Sequence, residues 1–359
     1  MPLSKIQDID NQVIPNLGRR NLVINGAMRV AQRGTSETGK TTGGYYTVDR
    51  YRTDHNGFTG SYTQDTDVPS GYGFSNSLKI QVTSAASSDA GTLRLDTRIE
   101  AQDLRNSGWD YTSSSSYATF SCWVKSSLAG TYYFGFRTDD GTSRQYTKAF
   151  TLVANTWKKI EISMPGDSSI TFDNDKEMGA LIALHIDETT AQSDSGHTVD
   201  GWQNYSGTSR TPDFSQNWSE TLNATFHTTG WQLEVGDSAS EFEHRSFGEE
   251  LALCERYFQK TYNYGSYLTA NADLGAVGYY ATNDSDAMNV NFTSPMRTGP
   301  TLSIQRKNGG GANQAQRGNN SGTYATLSNV SATDKGFQFD QDYTNDAYFR
   351  FHYYADAEL

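Results

Sequence analysis

The chain has 359 residues, of which 35% are hydrophobic and 19% are charged, and its formal net charge is -12 at pH 7. This length is enough for roughly two domains of ordinary size. The acidic balance argues against a nucleic-acid partner, because a phosphate backbone would be repelled, and no apolar run is long enough to predict membrane insertion.

The residue composition is typical of an all-β protein. The chain contains 33 glycine and 22 tyrosine residues, which suit short strands joined by tight turns. Two cysteines in a chain of this length do not make a disulfide framework, so Cys122 and Cys254 are expected to be reduced and buried. The first residues lack the apolar core of a signal peptide, which predicts synthesis in a cytosol.

Residues 1 to 20 are polar and without a sustained period, and they predict an extended N-terminal arm. Residues 21 to 245 carry recurring strand patterns. Between Tyr117 and Lys125, alternate residues are apolar, which places one face of a strand in a core and leaves Trp123 on the other face. Similar runs occur at residues 78–82, 93–99, 132–136, 160–164, 182–186 and 226–235. About eight antiparallel strands of this kind predict a jelly-roll β-sandwich.

A short connecting helix is predicted for residues 246 to 261. Ser246 followed by Glu249 forms a capping box, in which each side chain satisfies a backbone donor of the other residue. Leu251, Cys254 and Phe258 then lie on one apolar stripe. Such a short helix is marginal alone, so the stripe is expected to pack on the first sandwich or on identical helices of neighbouring subunits.

Residues 262 to 359 return to strand patterns and predict a second, smaller C-terminal β-sandwich domain. The polar stretch from residue 308 to 322 interrupts them and predicts a mobile loop. The strand-like runs are residues 276–282, 288–293, 301–306, 336–342 and 347–354.

The segment from Gly34 to Thr41 matches the phosphate-binding pattern G-x-x-x-x-G-K-[ST]. That motif needs a helix directly after the lysine, so that backbone amides and the helix N-terminus can hold phosphate. Here the chain continues with two glycines and β-prone aromatic residues, which do not start a helix at Lys40. The segment is therefore interpreted as a hairpin loop.

No spacing among the acidic residues selects a catalytic pair, so we assign no catalytic residue and do not predict an enzyme. The histidines show no metal-ligand spacing, and no cofactor or transition metal is predicted. Only a structural calcium ion is left open, with Asp65, Asp67 and Asp89 as candidate ligands or as ordinary surface acids. The carboxylates considered for hydrolysis are Asp139, Asp140, Glu161, Glu177 and Glu234.

Aromatic residues in polar loops are the strongest binding signal. A sugar ring stacks its C–H face on tryptophan or tyrosine while its hydroxyl groups meet polar side chains. The alternative is that each ring packs at the rim of the sandwich or in a subunit interface. The candidate glycan-binding residues are Trp109, Tyr111, Trp202, Tyr205 and Trp218.

Three motifs closely resemble a family of bacteriophage virion proteins. They are NLVINGAMRVAQRGTS at residues 21–36, YTVDRYR at residues 46–52 and GWQLEVGDSASEFEHRSFGEELALCERYF at residues 230–258. Members of that family are tail-fibre or tail-tip subunits, built on a jelly roll like a carbohydrate-binding module. Beyond Tyr262 the likeness is limited to a short stretch at residues 295–304.

The resemblance implies a non-enzymatic virion component that recognises a glycan on the bacterial surface during adsorption. It also implies a homotrimer, other virion proteins as partners, assembly in the host cytoplasm and action outside the cell. One alternative is an architectural capsid-decoration or baseplate protein without a ligand. The other is a polysaccharide depolymerase, which the lack of a long array of repeated strands disfavours.

Overall fold

The computed structural model describes residues 20–265, 275–281, 288–307, 310–318, 322–342 and 347–359. Apart from Arg20, the predicted N-terminal arm lies outside the described residues. Within them the chain is almost entirely β, and every pair of named strands is antiparallel, which confirms the all-β prediction. No helix in these ranges combines the length and apolar character needed to cross a membrane.

The first part of the chain, from residue 20 to 246, contains thirteen strands and one short helix. Their bounds are β1 (Ser36–Lys40), β2 (Gly44–Tyr45), β3 (Arg52–Asn56), β4 (Thr59–Asp65), β5 (Ser77–Ser84), β6 (Thr92–Glu100), α1 (Ala101–Arg105), β7 (Tyr117–Ser126), β8 (Gly130–Thr138), β9 (Arg144–Leu152), β10 (Lys158–Pro165), β11 (Met178–Asp187), β12 (Trp202–Asn204) and β13 (Thr225–Val235). All the strand runs predicted for this part are strands.

These strands form two facing sheets, which confirms the predicted sandwich. Sheet A has the strand order β1, β4, β5, β13, β7, β10, and sheet B has the order β12, β9, β8, β11, β6, β3, β2. The core lies between them. Phe120 of sheet A stacks on Phe134 of sheet B, with ring centroids 4.9 Å apart. Cys122 is buried and free on the same inward face of β7, as expected.

The helix α2 (Phe247–Glu255) begins as predicted and ends earlier than predicted. The Ser246 hydroxyl accepts from Glu249 N, and the Glu249 carboxylate accepts from Ser246 N, so the capping box is confirmed. The chain then enters a strand, which places Phe258 outside the helix. Cys254 and Phe258 are buried within their own chain. Cys254 packs with Ile24 and Val30 of the jelly roll, and Leu251 packs there in part, which is the first of the two packing alternatives considered for the stripe.

The rest of the chain folds into a second antiparallel sheet, called here the C-terminal sheet. Its strands are β14 (Phe258–Lys260), β15 (Val277–Ala281), β16 (Met288–Asn291), β17 (Thr301–Arg306), β18 (Gln314–Arg317), β19 (Tyr324–Ala332), β20 (Gly336–Gln341) and β21 (Ala347–Asp356). The five predicted strand runs are strands. The prediction of a mobile loop at residues 308–322 is partly wrong, because this segment contains β18.

The C-terminal sheet folds over its own apolar residues. Strand β21 pairs with β14, β15, β17 and β18, while β20 pairs with β16 and β19. The two groups of strands face each other. Phe339 of β20 lies 5.3 Å from Phe351 of β21, and Phe337 lies 4.9 Å from Tyr353, measured between ring centroids. A sandwich-like second core was predicted and is confirmed.

Charged residues join the end of the C-terminal sheet to the jelly roll. The Glu358 carboxylate contacts the guanidinium of Arg50 and lies 3.4 Å from Arg33. Arg33 also lies 3.0 Å from Asp356. The side chains of Arg50, Glu358 and Arg33 are only 1%, 4% and 7% exposed. This cluster is a buried ionic contact between the end of the C-terminal sheet and the jelly roll.

Candidate functional site

The outer face of sheet A brings polar and aromatic side chains into register. Directly opposed residues on one face of an antiparallel sheet have side chains within contact distance. In one row Thr229 lies beside Trp123, and Trp123 lies beside Lys159. The neighbouring row consists of Thr63, Lys79, His227 and Lys125.

Three aromatic side chains lie on this face, and we call Tyr72, Trp123 and Trp157 the aromatic platform. Tyr72 is 48% exposed, and its ring centroid is 4.3 Å from that of Trp123. Trp157 directly precedes β10. Its ring lies 5.2 Å from Lys125 Nζ and 6.1 Å from the ring of His227. Both tryptophans are half-buried.

The segment from residue 66 to 76, which carries Tyr72, is anchored by a buried ring. Phe74 packs against Phe242, with ring centroids 5.0 Å apart. Gly230 makes room for it with a φ of +70°, because a Cβ there would lie 2.6 Å from Phe74 and 3.2 Å from Trp123. The register of β13 with β7 shifts at this glycine. A larger residue would displace the rings that position the platform.

Asp67 accepts hydrogen bonds from Trp157 of the platform and from the neighbouring Lys125. Its Oδ1 accepts from Trp157 Nε1 at 3.0 Å, and its Oδ2 contacts Lys125 Nζ. Burial tends to raise the pKa of Asp67, but hydrogen bonds from Lys125 and Trp157 outweigh it and lower that pKa. The carboxylate is 45% exposed. An ionised acceptor therefore stands beside the Trp157 ring, within reach of a ligand hydroxyl.

His227 lies beneath the platform as a buried neutral group. It is 6% exposed, and its Nδ1 has no hydrogen-bond partner among the described residues. Burial and the neighbouring Lys125 lower the pKa of His227 to about 4, while Asp67 and Asp65 oppose this shift. The imidazole is thus uncharged near neutral pH and places no net charge under the aromatic rings.

We expect His227→Gln to remove part of the acid sensitivity of folding. The folded pKa is about 4 and the ordinary value is 6.5, so the unfolded chain binds more protons between these values. The contribution of His227 to stability is therefore complete above its ordinary pKa, and it is lost as the pH falls toward the pKa of the folded state. The shift corresponds to about 3 kcal/mol. Urea unfolding across this pH window should show that the free energy of unfolding falls less steeply with decreasing pH for the variant than for the parent.

The other histidines with lowered pKa values, His55, His185 and His197, remain in both proteins. The difference between parent and variant therefore isolates His227. Parallel stability curves for the two proteins over this window would contradict the buried neutral state of His227.

Two of the predicted glycan-binding residues lie in the core instead. Trp218 is fully buried, with its ring 6.0 Å from that of Phe58. Trp109 is 3% exposed and contacts Phe136 edge to face. Neither indole presents a face to a ligand, so the stacking role predicted for both is wrong. Their loops fold back onto the sandwich and bury the rings.

The other three predicted residues are half-buried. Tyr111 packs on Phe172, with ring centroids 4.8 Å apart. Trp202 donates its indole N–H to a backbone carbonyl oxygen at 2.7 Å. Tyr205 lies under Arg137, whose guanidinium carbon is 4.7 Å from the ring centroid. A glycan contact by these residues stays a prediction, and none of them adjoins the aromatic platform.

The sequence did contain a signal for the platform. The alternation in β7 already placed Trp123 on the face opposite the core, where a large apolar ring is unexpected. Tyr72 and Trp157 lie in polar segments, as the five predicted glycan-binding residues do. Their placement on the same face as Trp123 depends on the order and register of the strands, which cannot be read from one segment alone.

A second concave region is acidic. Burial raises the pKa of Asp187 to about 6, although Ser219 donates both its N–H and its hydroxyl to Oδ2, at 2.8 and 2.6 Å. A carboxyl group with a raised pKa beside other carboxylates can exchange protons near neutral pH. The carboxylates that line this open cleft are Asp89, Asp187, Glu188, Asp213 and Glu220.

The three candidate calcium ligands do not share one site. Asp65 accepts from Asp67 N at 2.9 Å, beside the platform. Asp89 instead accepts from Thr190 N at 2.8 Å, in the acidic cleft. In the ranges that the structure describes, no three His, Cys, Asp or Glu side chains are grouped as metal ligands.

The segment that matches a phosphate-binding loop forms strand β1, which ends at Lys40 and pairs with β4. Lys40 Nζ lies 2.9 Å from the Glu37 carboxylate. The chain then crosses to β2 in sheet B, and no helix follows the lysine. The hairpin interpretation is therefore wrong, because the segment connects the two sheets.

No protein-family model and no curated protein sequence matches this chain. Among solved structures it is similar to the enzymatically active domain of tailspike protein 4 of bacteriophage CBA120. The TM-score is 0.35 and the identity 12%, over 60% of this chain and 21% of that one. This chain thus spans about a fifth of the tailspike domain's length.

It is also similar to the family 11 carbohydrate-binding module of Clostridium thermocellum in complex with a mixed-linked tetrasaccharide. That match has a TM-score of 0.28 and 12% identity, over 59% of this chain and 99% of the module. A family 30 carbohydrate-binding module matches with a TM-score of 0.29 and 12% identity, over 65% and 94% of the chains. At such TM-scores the function must be argued from the site itself.

Proposed function

We propose that this protein is a glycan-binding virion subunit of a bacteriophage, a tail fibre or tail tip without enzymatic activity. The observation that carries the proposal is the aromatic platform of Tyr72, Trp123 and Trp157 on the outer face of sheet A. The three sequence motifs that resemble phage virion proteins support the biological setting.

The platform has the chemistry that a sugar ring needs. The exposed ring of Tyr72 offers a stacking surface for the apolar C–H face of a pyranose. Asp67 accepts hydrogen bonds and Lys125 donates them, so both kinds of contact to hydroxyl groups are available. The charges on this face are balanced, which favours a neutral glycan. The balancing pairs are Lys79 with Asp65, Lys125 with Asp67 and Lys159 with Glu161.

We expect Tyr72→Ala combined with Trp157→Ala to weaken the binding of a neutral oligosaccharide about 30-fold, the loss typical of a hot-spot aromatic residue. The reason is the loss of stacking area with no change in the buried core. A glycan array of the parent protein identifies the oligosaccharide, and titration calorimetry then compares the variants.

Two controls make this result specific. Tyr72→Phe keeps the ring and should bind like the parent. Leu222→Ala removes another exposed apolar side chain, 57% exposed, outside the platform. If the double variant binds every glycan of the array as the parent does, the platform is not a glycan site. The architectural role in a capsid decoration or baseplate then becomes the better explanation.

The assembly that we propose is a homotrimer bound to other virion proteins and acting outside the host cell. Its support is the sequence resemblance. Light scattering of the purified protein measures the subunit number. Electron microscopy of intact particles reports the position and copy number of the chain in the virion.

A second candidate function is cleavage of a polysaccharide, and the acidic cleft around Asp187 favours it. A carboxyl group with a raised pKa is suited to donate a proton to a glycosidic oxygen, with another carboxylate as base or nucleophile. Release of reducing ends from host polysaccharide by the parent, and its loss in Asp187→Asn, would establish this activity in place of simple binding.

A further inference from the structure

Strand β10 forms a free edge of sheet A. It is last in the strand order of that sheet, so within the described part of the chain β7 is its neighbour on one side and no strand pairs with its other side. The register with β7 is unbroken from Lys158 to Pro165. An open groove separates β10 from β9 of sheet B, with residues 148–151 and 158–162 along its walls. The edge is thus regular and open, as the addition of a further strand requires.

The outer face of β10 carries one cation and one anion near its middle. Lys159 and Glu161 are two residues apart and therefore share a face of the strand. Their charged groups lie 2.7 Å apart, and the side chains are 33% and 51% exposed. Ile160, between them, is buried in the core. The order lysine, isoleucine, glutamate is complementary to itself when it is read in the opposite direction.

This order selects one antiparallel pairing of β10 with a second copy of the chain. When Ile160 lies opposite the partner's Ile160, Lys159 of each copy lies opposite Glu161 of the other. Opposite charges placed in this way stabilise a pair of strands, and like charges destabilise it. Centring the pair on the lysine or on the glutamate would place like charges opposite each other. An offset of one residue would join the polar face of one copy to the apolar face of the other.

Two features of β10 could oppose this pairing, because lysine and proline on an edge strand hinder strand addition. The first is Lys158, whose Nζ donates to Thr151 O of β9 at 2.9 Å and is thereby held towards sheet B. The second is Pro165 at the end of the strand, whose carbonyl oxygen accepts from Trp202 Nε1 at 2.7 Å. A pairing of residues 157–163 leaves the proline out.

We propose that β10 of one copy pairs with β10 of a second copy, antiparallel and with Ile160 at the two-fold axis. Such a contact is isologous, because the same strand serves on both sides. It joins the two A sheets into one continuous sheet, with both outer faces on the same side. The contact goes beyond the proposed trimer, which has three-fold symmetry, and a trimer that uses it binds a second trimer.

The pairing brings two aromatic platforms onto one surface. Trp123 lies in β7, directly beside β10. Three strand spacings therefore separate Trp123 from the partner's Trp123, a distance of roughly 14 Å. Two sites at this separation can bind one glycan chain, and the second contact then forms at a high effective concentration. This consequence rests on the proposed function, whereas the pairing of β10 does not.

The test measures the mass of the full chain by analytical ultracentrifugation over a range of concentrations. The parent should associate reversibly to two or six subunits. Lys159→Glu and Glu161→Lys each place like charges opposite each other in the pair, and each should weaken the association at least about 10-fold. An equal mixture of the two variants should restore it, because every lysine then lies opposite a glutamate.

Two controls separate this contact from net charge and from misfolding. Lys159→Glu combined with Glu161→Lys exchanges the two charges, keeps the order complementary and should associate like the parent. Lys79→Glu changes the net charge as Lys159→Glu does, but on β5, and it should leave the mass unchanged. Circular dichroism verifies that each variant keeps its β structure.

The outcomes separate the pairing from the proposed function. A parent that stays at one or three subunits at every concentration would overturn the pairing, as would single charge reversals that associate like the parent. On a surface coated with the glycan identified for the platform, Glu161→Lys should dissociate at least about 10-fold faster than the parent. Equal dissociation rates would overturn the bivalent binding. If the parent binds no glycan, the platform is overturned and the measured masses still decide the pairing.

Discussion

Glu358→Ala should lower the free energy of unfolding by about 3–5 kcal/mol, because it leaves a buried guanidinium without its counter-ion. The Glu358 carboxylate contacts Arg50 and lies 3.4 Å from Arg33. Burial disfavours the charged form of Arg50, but Glu358 together with Tyr257, Tyr45 and Cys254 outweighs this and raises the Arg50 pKa. Urea unfolding at neutral pH, followed by tryptophan fluorescence and circular dichroism, measures the loss.

The matched control is Glu161→Ala, which breaks an exposed pair with Lys159 whose glutamate is 51% exposed. It should change stability by less than about 1 kcal/mol. Replacing both buried partners, with Arg50→Met and Glu358→Leu, should recover much of the loss, since no buried guanidinium is then left without a counter-ion and Arg33 keeps Asp49 and Asp356. Equal effects of the two single alanine variants would contradict the burial of this ionic contact.

Trp218→Ala should destabilise the jelly roll by about 3–5 kcal/mol, because it removes a fully buried indole and leaves a cavity. The ring is 0% exposed and lies against Phe58. Binding of a neutral glycan per folded molecule should not change, since the platform lies on the outer face of sheet A. Thermal unfolding measures the loss of stability. Titration calorimetry under folding conditions measures glycan binding per folded molecule.

Trp157→Ala is the reciprocal control, because it removes the same side chain from a half-buried surface position. It should cost little stability and should weaken glycan binding. A Trp218→Ala protein that is as stable as the parent, or that loses glycan binding while folded, would contradict the assignment of Trp218 to the core.

The core strands were readable from the sequence because burial of one face imposes a period of two. The runs around Phe120, Phe134 and Ile182 are strands whose apolar residues face the core. The start of α2 was predictable as well, since a capping box is a local contact. Its end was not, because Phe258 leaves the helix to pair with Asp356, a residue far away in the sequence.

The sequence showed single residues of the candidate site but not that they lie on one face. Tyr72, Trp123 and Trp157 come from three separate segments, and they share one face of the sheet because β5, β13, β7 and β10 are neighbours in it. Trp109 and Trp218 also lie in polar loops, but these loops return to the sandwich and bury both rings. Whether a loop residue points outward is a property of the tertiary fold, which no local pattern reports.

Strand β13 has a consequence for how the jelly roll is made. It lies between β5 and β7 in sheet A, although both of them precede it by many residues in the chain. A fragment that stops before Thr225 would leave sheet A as two separate pieces, β1 with β4 and β5, and β7 with β10. Recombinant fragments of this half should therefore extend through Val235. During synthesis, the sandwich closes only after that strand has left the ribosome, which makes closure a late and comparatively slow event.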